Sequence, residues 1–131
     1  MAVSSNRANF IWPISWNSET TPDPIDPGDG RNLYRIELNG PGLVDSLSIT
    51  TPELTDTSTL RVEIYLDNVL TYSFSRNVKI SDYYYLPENV YGFKDFRPRP
   101  SLFFAKSCRI DVWIESGDEI STFNVFWTKC K

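Results

Sequence analysis

From about residue 33 onward, apolar and polar residues alternate along the chain, and no stretch repeats its apolar positions at the 3.6-residue period of an amphipathic helix. The clearest run is Leu60, Val62, Ile64 and Leu66, interleaved with Arg61, Glu63, Tyr65 and Asp67. A period of two puts successive side chains on opposite faces of a strand, so this run predicts a strand with one buried face and one wet face. Tyr34, Ile36 and Leu38 alternate with Arg35 and Glu37 in the same way, and Cys108, Ile110, Val112 and Ile114 form one face of a later strand. Leu60, Val62, Ile64, Ile110, Val112 and Ile114 are therefore expected in one core.

Turn signals separate these runs. Asn39-Gly40-Pro41-Gly42 predicts a turn into a strand over Leu43 to Thr50, and Pro52 to Ser58 reads as a polar loop. Asp67-Asn68 predicts a tight hairpin turn into Val69 to Phe74. A strand over Val78 to Tyr84 is expected next, then a long loop over Pro87 to Pro100 and a short strand over Ser101 to Phe104. Gly117-Asp118 turns the Cys108 strand into a last one over Ile120 to Thr128. Short strands at this spacing, with no internal repeat, predict an all-β fold: a single jelly-roll-like antiparallel β-sandwich with an extended N-terminal arm. The boundaries expected are an arm and linker over 1–31 and a sandwich domain over 32–131.

The arm is unlike the rest. Asn9 to Trp16 holds Phe10, Ile11, Trp12, Ile14 and Trp16 around Pro13. Proline donates no ladder hydrogen bond, so the segment suits at best an edge strand or an extended piece laid on a surface. Thr20 to Gly30 follows with prolines, aspartates and glycines, a linker by composition. Its Asp23, Asp26 and Asp29 lie three apart with prolines between them, whereas a calcium loop of the EF-hand kind needs alternate-residue acids and a distant Glu. Turn formation is the expectation there, with no metal and no cofactor.

One stretch resembles a known family. Gly40-Pro41-Gly42-Leu43-Val44 running to Ser48-Ile49-Thr50-Thr51, with Leu60 to Asp67, is similar to a strand pair in the difructose-anhydride-type glycosidase family. That family is built of jelly rolls similar to viral capsid proteins and forms oligomers, so the resemblance implies a jelly roll. Leu66 stands where the family tends to have an aromatic, and no catalytic acid of the family maps onto a position here, so no activity is implied. The chain is also similar in outline to small virion proteins of tailed phages, with an extended arm and one jelly roll.

Composition removes several function classes. At 131 residues the chain fits one domain with its own core. There is no histidine, so no Ser-His-Asp or Cys-His machinery can form. A net charge of −4 argues against nucleic acid as a partner, since phosphate contacts need clustered cations. Arg97, Arg99, Lys106 and Arg109 do gather in the second half, as a solvated face or as partners for acidic neighbours. Cys108 and Cys130 lack redox-motif spacing; they are expected as packed thiols, with a cross-strand disulfide as the alternative. No apolar stretch reaches membrane-span length and Met1 to Arg7 has no signal-peptide character, which predicts no membrane partner and synthesis in a host cytoplasm.

Three functions compete. The leading expectation is a non-enzymatic virion component, such as a capsid decoration or head-fibre protein. It would be located in the virion, bind other virion or assembly proteins through Phe10, Ile11, Trp12, Ile14 and Trp16, and form a homo-oligomer, with a trimer favoured. The alternative is a carbohydrate-binding module using loop residues Tyr84, Tyr91, Phe93, Phe96, Arg97 and Arg99. A glycosidase would need two carboxylates held about 5 to 10 Å apart across a cleft. Among 17 acidic residues no spacing singles out such a pair, so no catalytic residue is assigned.

Overall fold

The structure, a computed structural model, describes residues 13–51, 58–78, 95–96 and 101–131. The side chains of Ile14, Arg76, Val78, Asp95 and Phe96 lie outside that description. The described residues form strands and turns without a helix. The strands are β1 (Pro13–Glu19), β2 (Tyr34–Asn39), β3 (Gly42–Thr50), β4 (Ser58–Leu66), β5 (Val69–Val78), β6 (Asp95–Phe96), β7 (Leu102–Phe104), β8 (Ser107–Ile114) and β9 (Thr122–Cys130).

They pair into two antiparallel sheets, consistent with a β-sandwich. One runs β1-β9-β3-β6, with β7 also on β3; the other runs β2-β8-β4-β5. β6 pairs with Leu47 and Ser48 while β7 pairs with Gly42 to Val44, so the two short strands occupy successive stretches of one edge. Along the chain the pairing is nested: β1 with β9, β2 with β8, β3 with β6 and β7, and β4 with β5.

The alternation read from the sequence sets the core. Leu60, Val62 and Ile64 of β4 and Ile110, Val112 and Ile114 of β8 are all buried, opposite Val44, Leu47 and Ile49 of β3 and Phe123, Val125 and Trp127 of β9. At about 25 cal/mol per Å² of apolar surface removed from water, this cluster is the main favourable contribution to folding. The Gly40-Pro41-Gly42 turn serves the same packing. A Cβ on Gly42 would sit 2.5 Å from the Phe104 ring, and one on Gly40 would sit 2.9 Å from it. Glycine is needed at these two positions because an aromatic ring occupies the space a side chain would take.

The β4–β5 hairpin turns on Asp67 and Asn68, both with positive φ, as a two-residue turn matched to strand twist requires. Asp67 does more than turn. Its carboxylate accepts hydrogen bonds from the backbone N–H groups of Ala105 (2.9 Å), Lys106 (2.6 Å) and Ser107 (3.0 Å). These bonds, the one from Ala105 foremost, hold the Asp67 carboxyl below the usual carboxylate range. The hairpin tip is thereby tied to the β7–β8 turn.

The structure adjusts several boundaries. β5 runs on to Val78, and 79–84, where a further strand was expected, lies outside the described residues. So do residues 52–57 and most of the stretch 87–100, although Asp95 and Phe96 within it pair with β3. The segment read as linker is tied to the sandwich. Ile25 and Leu33 exchange backbone hydrogen bonds of 2.8 and 2.9 Å, and the Asn32 amide donates to the Gly117 carbonyl at 2.7 Å. Cys108 and Cys130 are both free and buried. Burial pushes the Cys108 thiol up to about 12 and raises that of Cys130.

Candidate docking surface

Part of the segment assigned to the arm is a strand of the sandwich. β1 lies at the edge of its sheet, paired with β9 from Pro13↔Cys130 to Glu19↔Val125, with a register shift between Pro13 and Ser15. Pro13 opens the strand, a position that needs no ladder donor. On the core-facing side, Trp127 Nε1 donates to Glu19 Oε2 at 3.1 Å, and just beyond the strand the Phe123 N–H donates to Thr21 Oγ1 at 2.8 Å. These bonds fix which way β1 faces. With Glu19 and Asn17 opposite the inward residues Val125 and Trp127, the intervening Trp16 and Ser18 point outward.

The outward positions of this sheet then fall into cross-strand rows. Trp16 lies opposite Thr128, Thr128 opposite Leu43, and Leu43 opposite Phe103. The neighbouring row is Ser18, Phe126 and Ser46, followed by Asn124 with Ser48 and Thr122 with Thr50. Trp16 is 86% exposed, Phe126 45% and Phe103 40%. Leu43 is half-buried between them. Asp45, at the bulge between Val44 and Ser46, lies on this face, and Asp95 of β6 joins it by its register opposite Ser48. The Asp45 oxygens accept from Ser101 Oγ (2.9 Å) and Thr128 Oγ1 (2.6 Å). The surface offers water three large aromatics among hydroxyls and one amide, with the Asp45 carboxylate engaged and Asp95 at the β6 edge.

The outward face of the β2-β8-β4-β5 sheet is built differently. Arg35 holds Asp111 through two bonds, Nε to Oδ1 at 2.8 Å and Nη2 to Oδ2 at 3.1 Å, and Asp111 is buried although it points outward. Arg109 approaches the same carboxylate at 3.4 Å and lies 4.0 Å from the centre of the Tyr65 ring. The Tyr65 hydroxyl donates to Glu63 at 3.2 Å, Arg61 pairs with Glu115 at 2.7 Å, and Arg31 sits over the Trp113 ring at 4.5 Å. Here each aromatic is covered by a cation or engaged through its hydroxyl.

Of the residues expected to bind a partner, Trp16 is presented outward and exposed. Ile14 is in β1 by its backbone, while Phe10, Ile11 and Trp12 lie outside the described residues. Of the loop candidates, Tyr84, Tyr91, Phe93, Arg97 and Arg99 lie outside them too, and Phe96 is placed by its backbone pairing with Leu47. Sequence reasoning missed Leu43, Phe103 and Phe126 as companions of Trp16. Val125, Phe126 and Trp127 are consecutive apolar residues, so alternation gives no sign of which one faces out. In the aspartate-rich segment, Asp26 accepts from the backbone N–H groups of Gly28 (2.8 Å) and Gly30 (3.0 Å), the turn formation expected of it. Those bonds, Gly28 first, lower its pKa. Among the described residues no group of acids and cysteines is arranged to hold a metal ion. No protein-family model, curated protein or solved structure matches the chain.

Proposed function

We propose that this protein is a non-enzymatic structural component of an assembly, of the kind built into a virion as a capsid decoration or head-fibre protein. It docks on another protein chain through its N-terminal segment and the outward face of the β1-bearing sheet. The observation that carries the reading is Trp16, 86% exposed on a strand pinned into the sheet and flanked by Phe126, Leu43 and Phe103. A Trp side chain presents about 150 to 250 Å², so burying this one contributes about 4 kcal/mol before ordering costs. Interface centres are marked by aromatics, and this face presents three of them.

The nested pairing supports reading the sandwich as a jelly roll. First strand pairs with last, second with second-last, and so inward to the β4–β5 hairpin, as in one long hairpin wound into two sheets. Such a module is rigid and suits a building block. Phe10, Ile11 and Trp12 directly precede β1 in the sequence and add to the apolar residues available to a partner.

Native mass spectrometry and light scattering of the purified full-length chain test the reading. A closed homo-oligomer that dissociates when Phe10, Ile11 and Trp12 are replaced together by serine is the expected result. A strict monomer that binds immobilised oligosaccharides, and loses that binding with Trp16→Ala, overturns it in favour of a carbohydrate-binding module.

A further inference from the structure

We infer that the partner of the Trp16 face is a basic protein surface that offers it arginine side chains, their guanidinium groups stacking on Trp16 and Phe126 and pairing with Asp45. The inference rests on the assembly reading above and names the chemistry of the surface on which this face docks.

The opposite face shows the same arrangement completed within the chain. There Arg109 lies 4.0 Å from the centre of the Tyr65 ring and 3.4 Å from the Asp111 carboxylate, so one guanidinium serves an aromatic and an acid together. Arg31 does the same between the Trp113 ring, at 4.5 Å, and Asp29, at 3.1 Å. A guanidinium is planar and weakly hydrated, so it stacks on a ring while the N–H groups of its edge still reach a carboxylate.

The Trp16 face holds the aromatics and the carboxylate without the cation. Asp45 sits at the bulge where the row of Trp16, Thr128, Leu43 and Phe103 adjoins the row of Ser18, Phe126 and Ser46, so it stands among the three exposed rings. Its oxygens accept from the neutral hydroxyls of Ser101 and Thr128. A carboxylate has about four acceptor sites, so these two bonds leave capacity for a charged donor.

Charge selects the partner. Asp45 lies on this face and Asp95 joins it by its register opposite Ser48. The one cation in β1, β3, β6, β7 and β9 is Lys129, which turns away to the Trp127 ring at 5.9 Å and the Asn39 carbonyl at 3.3 Å. The face therefore adds to the excess of a chain whose net charge is −4. An acidic surface is repelled there, and so is a second copy of this chain, whereas a surface rich in arginine is drawn in. Lysine fits less well, because its ammonium is a strongly hydrated point charge that cannot stack flat on a ring.

The test uses the full-length chain and a short fluorescent probe peptide of alternating arginine and serine, read by anisotropy. In a second peptide citrulline, the neutral analogue of arginine, replaces every arginine. The arginine peptide should bind roughly tenfold or more tightly than the citrulline one, and rising salt should weaken it. Trp16→Ala plus Phe126→Ser should weaken binding roughly tenfold, and Asp45→Asn several-fold. Glu37→Gln removes the same charge from an exposed site on the opposite face and should leave binding unchanged. Thermal melts show which variants are folded; if Asp45→Asn melts early, the Trp16/Phe126 variant and the citrulline peptide decide. Failure of either peptide to bind, equal binding of both, or equal losses in Asp45→Asn and Glu37→Gln overturns the inference. Native mass spectrometry separates it from the reading it rests on. An oligomer that dissociates with serine at Phe10, Ile11 and Trp12, from a chain that ignores the arginine peptide, rejects the basic partner and leaves assembly standing. A strict monomer that binds oligosaccharides through Trp16 overturns both.

Discussion

The two outward faces of this sandwich share a core and differ in almost everything else. On one, Asp111 is buried beneath Arg35 and Arg109, Tyr65 carries a guanidinium on its ring, and Glu63 and Glu115 each have a partner. On the other, Trp16, Phe103 and Phe126 meet solvent with no cation over them among the described residues. Charges spread over a sheet face keep it wet and discourage stacking, whereas exposed aromatics lower the cost of removing water. The comparison teaches that polarity within one small domain can be divided by sheet. One face pairs its charges among its own side chains, and the other leaves three large aromatics exposed.

The largest effect should come from the core that both faces share. Ile64→Asp buries an unpaired carboxylate at a fully enclosed position and should leave no folded protein. A soluble variant with a cooperative melt would break the core assignment. Next is Asp111→Ala, which removes the carboxylate that Arg35 and Arg109 share and should cost about 2 kcal/mol in urea unfolding. Oxidative labelling of Trp16 on the opposite face should be untouched, and a change there would mean that the two faces are not independent.

The Asp67 tie sharpens the comparison through pH. Because the folded-state pKa of Asp67 is depressed, its contribution is fully present above the unfolded carboxyl value near 3.9. The contribution is lost as pH falls through the lower folded value. Thermal melts should therefore show a steeper acid loss in the native chain than in Asp67→Ala, with the curves converging at the most acidic pH. Parallel curves would show that the three backbone bonds do not stabilise the fold.

The smallest effect on stability should come from Trp16→Ala, within about 0.5 kcal/mol for the dilute chain, because the side chain is exposed. A larger loss would make Trp16 part of the domain's own packing and would remove the contrast between the faces.

Much of this was legible in the chain. Alternation from Leu60 to Asp67 and from Cys108 to Ile114 carries its own orientation, because a strand exposed on one side must place every second residue in the core. Asp67-Asn68 announced its hairpin for a similarly local reason: few residues tolerate positive φ at both turn positions. Less was legible where local signals conflicted. Pro13 allowed either an edge strand or an extended piece laid on a surface, and β9 supplies the edge that Pro13–Glu19 completes, while in the Pro/Asp-rich stretch read as linker Ile25 bridges to Leu33.

The sequence by itself determined an all-β chain, the inward residues of its central strands and its main hairpin turn, because each follows from interactions within a few residues. Only the tertiary structure decided that Trp16, Leu43, Phe103 and Phe126 form one surface. They come from four strands scattered along the chain, and a bulge at Asp45 sets part of their register. Nor could composition divide the charges between the faces. That division depends on which strands share a sheet, and strand partnership is settled by burying both inner faces at once rather than by any single segment.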